Sequence, residues 1–212
     1  MLIKRLFPFL AFVFLALPAL APPALGAPEL GLGLPALFDV TGVAPNDRLN
    51  IRRAPAAGSE RIGAYAPDRQ GIEIIALSDN GRWGEVVTDG KNGWVSMRFL
   101  RLRKDSFATF PKYLSCFGTE PFWSMIITDE SARFERMGQA PVAWRIPWWT
   151  GSANNAYGSF AISLVGDSDG RLGILSRQRC IDGMVDASFG WTLFLVQQGQ
   201  GLLTGCCTMQ KG

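Results

Sequence analysis

Cys116-Phe-Gly-Thr-Glu-Pro-Phe-Trp123 is the stretch around which the chain is organised. It holds the first cysteine of the sequence, and the other three, Cys180, Cys206 and Cys207, all follow it. Cysteines confined to one half of an exported chain read as two disulfides closing one domain. Cys206 and Cys207 are neighbours, with Cα atoms about 3.8 Å apart across a trans peptide, so they do not bond each other. On a strand they point to opposite faces, and each serves a different partner.

Downstream of this stretch the pattern is that of strands. Trp123-Ser-Met-Ile-Ile127 ends at Asp129-Glu130, and Ala132-Arg-Phe-Glu135 and Phe160-Ala-Ile-Ser-Leu164 alternate. Leu172–Leu175 and Thr192–Val196 follow, with Gly199 and Gly201 marking a hairpin. Between Glu135 and Phe160, Pro147-Trp148-Trp149 reads either as an exposed aromatic patch or as a cap on a barrel floor. Thr150–Asn155 reads as a polar loop.

Upstream, short apolar runs are separated by turn residues. Leu49-Asn-Ile51, Ile62–Tyr65, Ile72–Ile75, Trp83–Val87 and Trp94-Val95 are bounded by Asn46-Asp47, Pro67, Asp79-Asn80-Gly81 and Asp89-Gly90. Strands this short suggest a small barrel, which hides its edges by closing. The expected fold class is therefore all-β, a small barrel followed by a disulfide-closed β-barrel or sandwich-like domain.

The N-terminus has the layout of a secretory signal. Lys4 and Arg5 precede the apolar run Leu6–Leu17, Pro18 breaks it, and Ala24-Leu25-Gly26 supplies small residues for cleavage. The run is short for a bilayer span of about 20 residues. The expected boundaries are a signal peptide at 1–26, a flexible lead-in at 27–37, a first domain at 38–103, a linker at 104–113 and a second domain at 114–212. Phe110-Pro111 makes that linker an ordered connector rather than a free tether. The expected location is periplasmic or secreted, with no stable membrane anchor after cleavage.

The order of pieces in the first domain resembles the bacterial SH3-like (SH3b) domain. The resemblance rests on Leu49-Asn-Ile-Arg-Arg-Ala-Pro55, Ile62-Gly63, Gly81-Arg-Trp-Gly-Glu-Val86, Gly93-Trp-Val-Ser96 and Phe99-Leu100. Ala57-Gly58-Ser59 is plainer than the Gly-rich loop common there. The resemblance implies binding of peptidoglycan or wall peptides, or packing against a neighbouring domain. As ligand-binding candidates the residues offer Tyr65, Arg52, Arg53, Trp83 and Trp94. Trp83 and Trp94 read first as core rings and second as an aromatic shelf for a peptide. Tyr65, beside Pro67, is expected to be exposed. Arg52 and Arg53 are adjacent on a strand, so at most one faces a groove.

The segment from Cys116 to Cys207 resembles a family of exported bacterial domains with no assigned activity. Its three motifs are Gly118-Thr-Glu-Pro-Phe-Trp123, Cys180-Ile-Asp-Gly-Met184 and Gly205-Cys206-Cys207. Val185 stands where that family carries a serine, and Phe189-Gly190 near its Tyr-Pro position. The resemblance implies the pair Cys180–Cys206 and leaves Cys116–Cys207 as the second. It also marks Glu120, Trp123, Asp182, Met184 and Asp186 as motif residues.

The chain has no histidine, no C-x-x-C and no Gly-rich phosphate loop. That removes Ser-His and Cys-His nucleophile pairs, histidine metal sites and thioredoxin-type redox chemistry. A net charge of +3 without a basic block argues against nucleic acid as a partner. Glu120, Asp182 and Asp186 are the carboxylates left for glycoside hydrolysis, which needs a pair about 5–9 Å apart. Turn-forming by Asp182 before Gly183 is the simpler reading. The expectation is a non-enzymatic cell-envelope binding protein that needs no cofactor or metal, with peptidoglycan or an envelope protein as partner. The alternatives are an inhibitor of an envelope hydrolase such as lysozyme, acting through Thr150–Asn155, and a carboxylate glycosidase.

Overall fold

The computed structural model describes residues 33–211 apart from 105, 107–109, 154, 168, 198 and 200. The expected signal peptide and residues 27–32 of the lead-in lie outside the described residues. The chain is all-β, as its short apolar runs indicate, and among the described residues it has one 3-10 turn, at Met97–Phe99.

The N-terminal unit contains β1 (Ala36–Val40), β2 (Leu49–Arg52), β3 (Arg61–Tyr65), β4 (Ile72–Ile74), β5 (Ala76–Leu77), β6 (Trp83–Thr88), β7 (Lys91–Ser96) and β8 (Leu100–Leu102). They form a sheet of order β4-β1-β8 and a sheet of order β3-β2-β7-β6-β5. Phe38, Leu49, Ile51, Ile72, Ile74, Val86 and Val95 are buried between them. Asp89 and Gly90, at φ 46° and 69°, make the two-residue turn that joins β6 to β7. Both central residues at positive φ match the twist of the flanking strands. Ala36 and Leu37, expected in the flexible lead-in, are part of β1. Ala36 is fully buried and registers with Ile74, so burial rather than composition decides their state.

The C-terminal unit contains β9 (Tyr113–Thr119), β10 (Phe122–Thr128), β11 (Ser131–Arg136), β12 (Val142–Arg145), β13 (Trp149–Ser152), β14 (Asn155–Val165), β15 (Gly170–Ser176), β16 (Cys180–Ile181), β17 (Ser188–Phe189), β18 (Trp191–Gln197) and β19 (Gly201–Thr208). Eight of these close an up-and-down barrel in the order β9-β10-β11-β12-β14-β15-β18-β19. The seam is β19 against β9, through Cys206↔Phe117, Cys207↔Cys116 and Thr208↔Ser115. β12 meets β14 at Arg145↔Val165, while β13 pairs along the rest of β14. Thr150–Ser152 therefore extends a strand and is not the free polar loop expected there. Its backbone is registered against Phe160 and Ala161.

An eight-stranded barrel is just wide enough for side chains to fill. Leu114, Met125, Ile127, Ile162, Leu164, Leu175, Leu193 and Leu195 do so, all fully buried. Phe110, from the connector, joins the same cluster.

Adjacent cysteines serve the two faces of β19. Cys207 points into the barrel and bonds Cys116 on β9. Cys206 points outward and bonds Cys180, in a satellite cluster with Ala187, Phe189, Phe117 and Val87. Val87 belongs to β6, so this cluster bridges the two units. Polar contacts reinforce the boundary. Asn92 Oδ1 accepts from the Ser188 backbone N–H at 2.8 Å, and Asn92 Nδ2 donates to the Ser188 carbonyl at 3.1 Å. The Glu73 carboxylate on β4 accepts from the Thr208 hydroxyl and from the Met209 backbone N–H.

Candidate functional site

Strand alternation settles which side chains of the N-terminal unit face outward. Gly84 points inward, where a Cβ would stand 2.6 Å from Met97 Sδ and 2.9 Å from Ile74 Cδ1. Gly93 also points inward, with a Cβ 2.5 Å from Ile51 Cγ2. Their neighbours Trp83 and Trp94 are therefore on the outer face, half-buried and outside the core cluster. This corrects the expectation that both rings are core. The interior of the small unit has room only for hydrogen at these two rungs.

Trp83 borders a groove of about 510 Å³ between the 42–48 loop, β2 and the 3-10 turn. Arg48, Asn50, Arg52, Arg98 and Phe99 also line it. Arg52 Nη1 donates to the Ser59 carbonyl at 2.7 Å, which anchors the guanidinium at the groove wall. The Arg98 guanidinium lies 4.5 Å from the Phe99 ring centroid, a cation–π geometry that leaves its N–H edges for a ligand. Asp47 is the single acid of the lining, and its Oδ1 accepts the Arg48 backbone N–H at 2.7 Å. The result is an indole and three guanidinium groups around an open groove. An indole face supports peptide backbone and side chains, and guanidinium forks match carboxylates.

The structure joins Arg52 and Trp83 in this groove and sorts the other candidates elsewhere. Trp94 stands in register with Arg52 and Glu85 on the outer face, beyond the groove lining. Arg53 faces away and binds Glu60 at 2.7 Å. That hydrogen bond and the attraction behind it raise the Arg53 pKa and lower that of Glu60. Tyr65 is half-buried against the N-terminal core, which corrects the expectation of exposure. Burial pushes its hydroxyl up to about 12, and Gln210 from the C-terminal segment hydrogen-bonds it. Arg48 and Arg98 are the residues that sequence reasoning missed. Arg98 lies two residues beyond Gly93-Trp-Val-Ser96, in the 3-10 turn after that strand, and this place was the available signal.

The motif residues of the C-terminal barrel divide between packing and surface. Trp123 is buried and stacks on Phe134 at 5.8 Å between ring centroids. Gly118 and Gly205 lie against its indole, and a Cβ on either would overlap the ring. The Gly-to-Trp spacing of the first motif and the glycine of the last are thus one packing unit. Asp182 Oδ1 accepts the N–H groups of Met184 at 3.0 Å and Val185 at 3.3 Å, closing a turn over Gly183 at φ 77°. Its carbonyl accepts from Thr119 Oγ1 at 3.2 Å, which ties the middle motif to the first. Glu120 is exposed in the β9–β10 turn, Met184 is exposed, and the Asp186 backbone forms an isolated parallel β-bridge with Lys91 of β7. Among the described residues no hydrogen bond links the three carboxylates to one another. Trp148 and Trp149 are both on the surface, and Trp149 stacks on Phe110 at 5.4 Å.

No protein-family model matches the chain, and no match is found among curated proteins.

Proposed function

We propose that the protein is an exported cell-envelope binding protein whose N-terminal unit, an SH3-like barrel, holds a carboxylate-bearing wall peptide in the Trp83 groove. The observation that carries this reading is the convergence of Trp83 with Arg48, Arg52 and Arg98. An aromatic plate takes the peptide by stacking, and the guanidinium groups take its carboxylates. Peptidoglycan stem peptides are the wall component of that chemistry. The lining draws only on residues of the N-terminal unit, so docking on the barrel leaves the groove open. Two disulfides suit an oxidising compartment. Among the described residues no helix is long and apolar enough to cross a membrane.

The reading is binding without turnover. Asp182, one of the three motif carboxylates, is engaged by backbone N–H groups in a turn. Co-sedimentation with purified sacculi tests the proposal. The full chain is expected to pellet, and Trp83→Ala to weaken pelleting at least tenfold, about 1.4 kcal/mol. Full retention by Trp83→Ala would count against the groove.

A further inference from the structure

The inward positions of the C-terminal barrel are small or apolar until the last rung at one end. Toward that end Phe134 on β11 gives way to Arg136, Leu195 on β18 to Gln197, and Leu175 and Gly173 on β15 to Arg171. These three side chains, with Gln139, Trp144 and Asp169, line a cavity of about 220 Å³ in the mouth of the barrel.

Polar side chains at a barrel end are ordinary where water reaches them freely, and here it does not. Gln197 is 8% exposed, and among the described residues its side-chain amide makes no hydrogen bond. The Arg171 side chain is 16% exposed, and its Nε is a buried donor without a partner. Buried groups in this condition cost the fold, and a ligand that pairs with them offsets the cost. The rest of the mouth is held in place. Trp144 Nε1 donates to Asp169 Oδ1 at 3.0 Å, and Asp169 Oδ2 meets Arg171 Nη2 at 3.1 Å. Arg171 Nη1 donates to the Gly170 carbonyl at 2.9 Å. Gly166 makes room for this arrangement, because a Cβ there would stand 2.6 Å from Asp169 Oδ1 and 3.0 Å from Trp144 Cδ1.

We propose that the barrel mouth binds one neutral sugar ring. Arg171 and Asp169 balance each other's charge, and Arg136 also borders an adjoining shelf that holds Glu120. A sugar hydroxyl both donates and accepts, as do the amides of Gln197 and Gln139, while Arg136 and Arg171 Nε donate and Asp169 accepts. Phe134 and Trp144 supply an apolar wall for the ring carbons. The cavity is smaller than the roughly 300–1,000 Å³ of sites for drug-sized ligands, which suits a single ring. It shares no lining residue with the Trp83 groove.

Two-dimensional amide NMR of the full chain, titrated with glucose, galactose, N-acetylglucosamine and glucuronate, tests the proposal. At least one neutral sugar should shift the side-chain amide signals of Gln197 and Gln139 and the indole N–H signal of Trp144, saturably. Gln197→Leu keeps an apolar side chain in the barrel, removes the amide and should weaken binding tenfold or more. Should that variant fail to fold, Gln139→Ala, at an exposed turn position, carries the same expectation. Trp83→Ala, in the other groove, should leave the affinity intact. Absence of these shifts with every neutral sugar would overturn the proposal, as would undiminished affinity in the mouth variant or an equal loss in Trp83→Ala. Tighter binding of glucuronate than of any neutral sugar would overturn the assignment of a neutral ligand.

Discussion

Arg179 grips Glu85 across the boundary between the two units, Nη1 to Oε2 at 2.8 Å and Nη2 to Oε1 at 2.7 Å. The Glu85 side chain is only 6% exposed, whereas that of Arg179 is 52% exposed. The hydrogen bonds to Glu85 raise the Arg179 pKa. Arg179→Ala would leave a buried carboxylate without its fork, at a cost of about 1–3 kcal/mol. Arg179→Lys, which loses the planar fork but keeps the charge, should cost less. The denaturant midpoints of the two variants check this ordering.

Glu73 makes stability depend on pH. Burial is the main reason that its carboxyl is pushed up to about 7 from an ordinary value of 4.5, and the bonds from Thr208 and Met209 oppose that only in part. The folded chain therefore keeps a proton that the unfolded chain releases. The stabilisation is fully present below pH 4.5 and is lost as pH rises through about 7, an effect on the order of 3 kcal/mol. Glu73→Gln resembles the protonated form and should flatten this part of the profile. Melting temperatures at pH 5 and pH 8 for both chains decide the matter. An unchanged slope in the variant would refute the assignment to Glu73.

The packing of Trp123 gives a third expectation. Gly118→Ala and Gly205→Ala each place a methyl into the indole, and overpacking of this kind costs about 1–3 kcal/mol. Gly58→Ala meets nothing within 4 Å at an ordinary φ and should stay within about 0.5 kcal/mol of the parent. Thermal melts of the three variants distinguish the tight positions from the open one.

The disulfides supply a fourth. Cys180→Ser with Cys206→Ser opens a loop of sequence separation 26 and releases the 180–189 ribbon from β19. The expected loss is about 2–4 kcal/mol, chiefly through a less restricted unfolded chain. A matched denaturation series under non-reducing conditions measures it.

Much of the fold was legible because its signals are local. Asp89-Gly90 marked a turn between strands, Gly199 and Gly201 marked a hairpin, and Cys206-Cys207 on a strand required two partners on opposite faces. What stayed hidden depended on the contact between the units. Ile72–Ile75 reads as a short strand bounded by turns, and nothing in that pattern shows that the end of β19 covers Glu73. Tyr65 reads as exposed until Gln210 is placed beside it. Trp83 and Trp94 were misjudged for a different reason. Each adjoins a glycine, and in a small barrel the inward rung can belong to that glycine rather than to the larger ring.

The most direct measurement is calorimetric titration of the full chain with a wall stem peptide carrying free carboxylates, and with the same peptide fully amidated. The account expects the free-acid peptide to bind. It expects amidation, Trp83→Ala, and Arg52→Ala combined with Arg98→Ala each to weaken binding at least tenfold, about 1.4 kcal/mol. Failure of the free-acid peptide to bind, or equal affinity for the amidated form, would contradict the claim that the Trp83 groove reads peptide carboxylates.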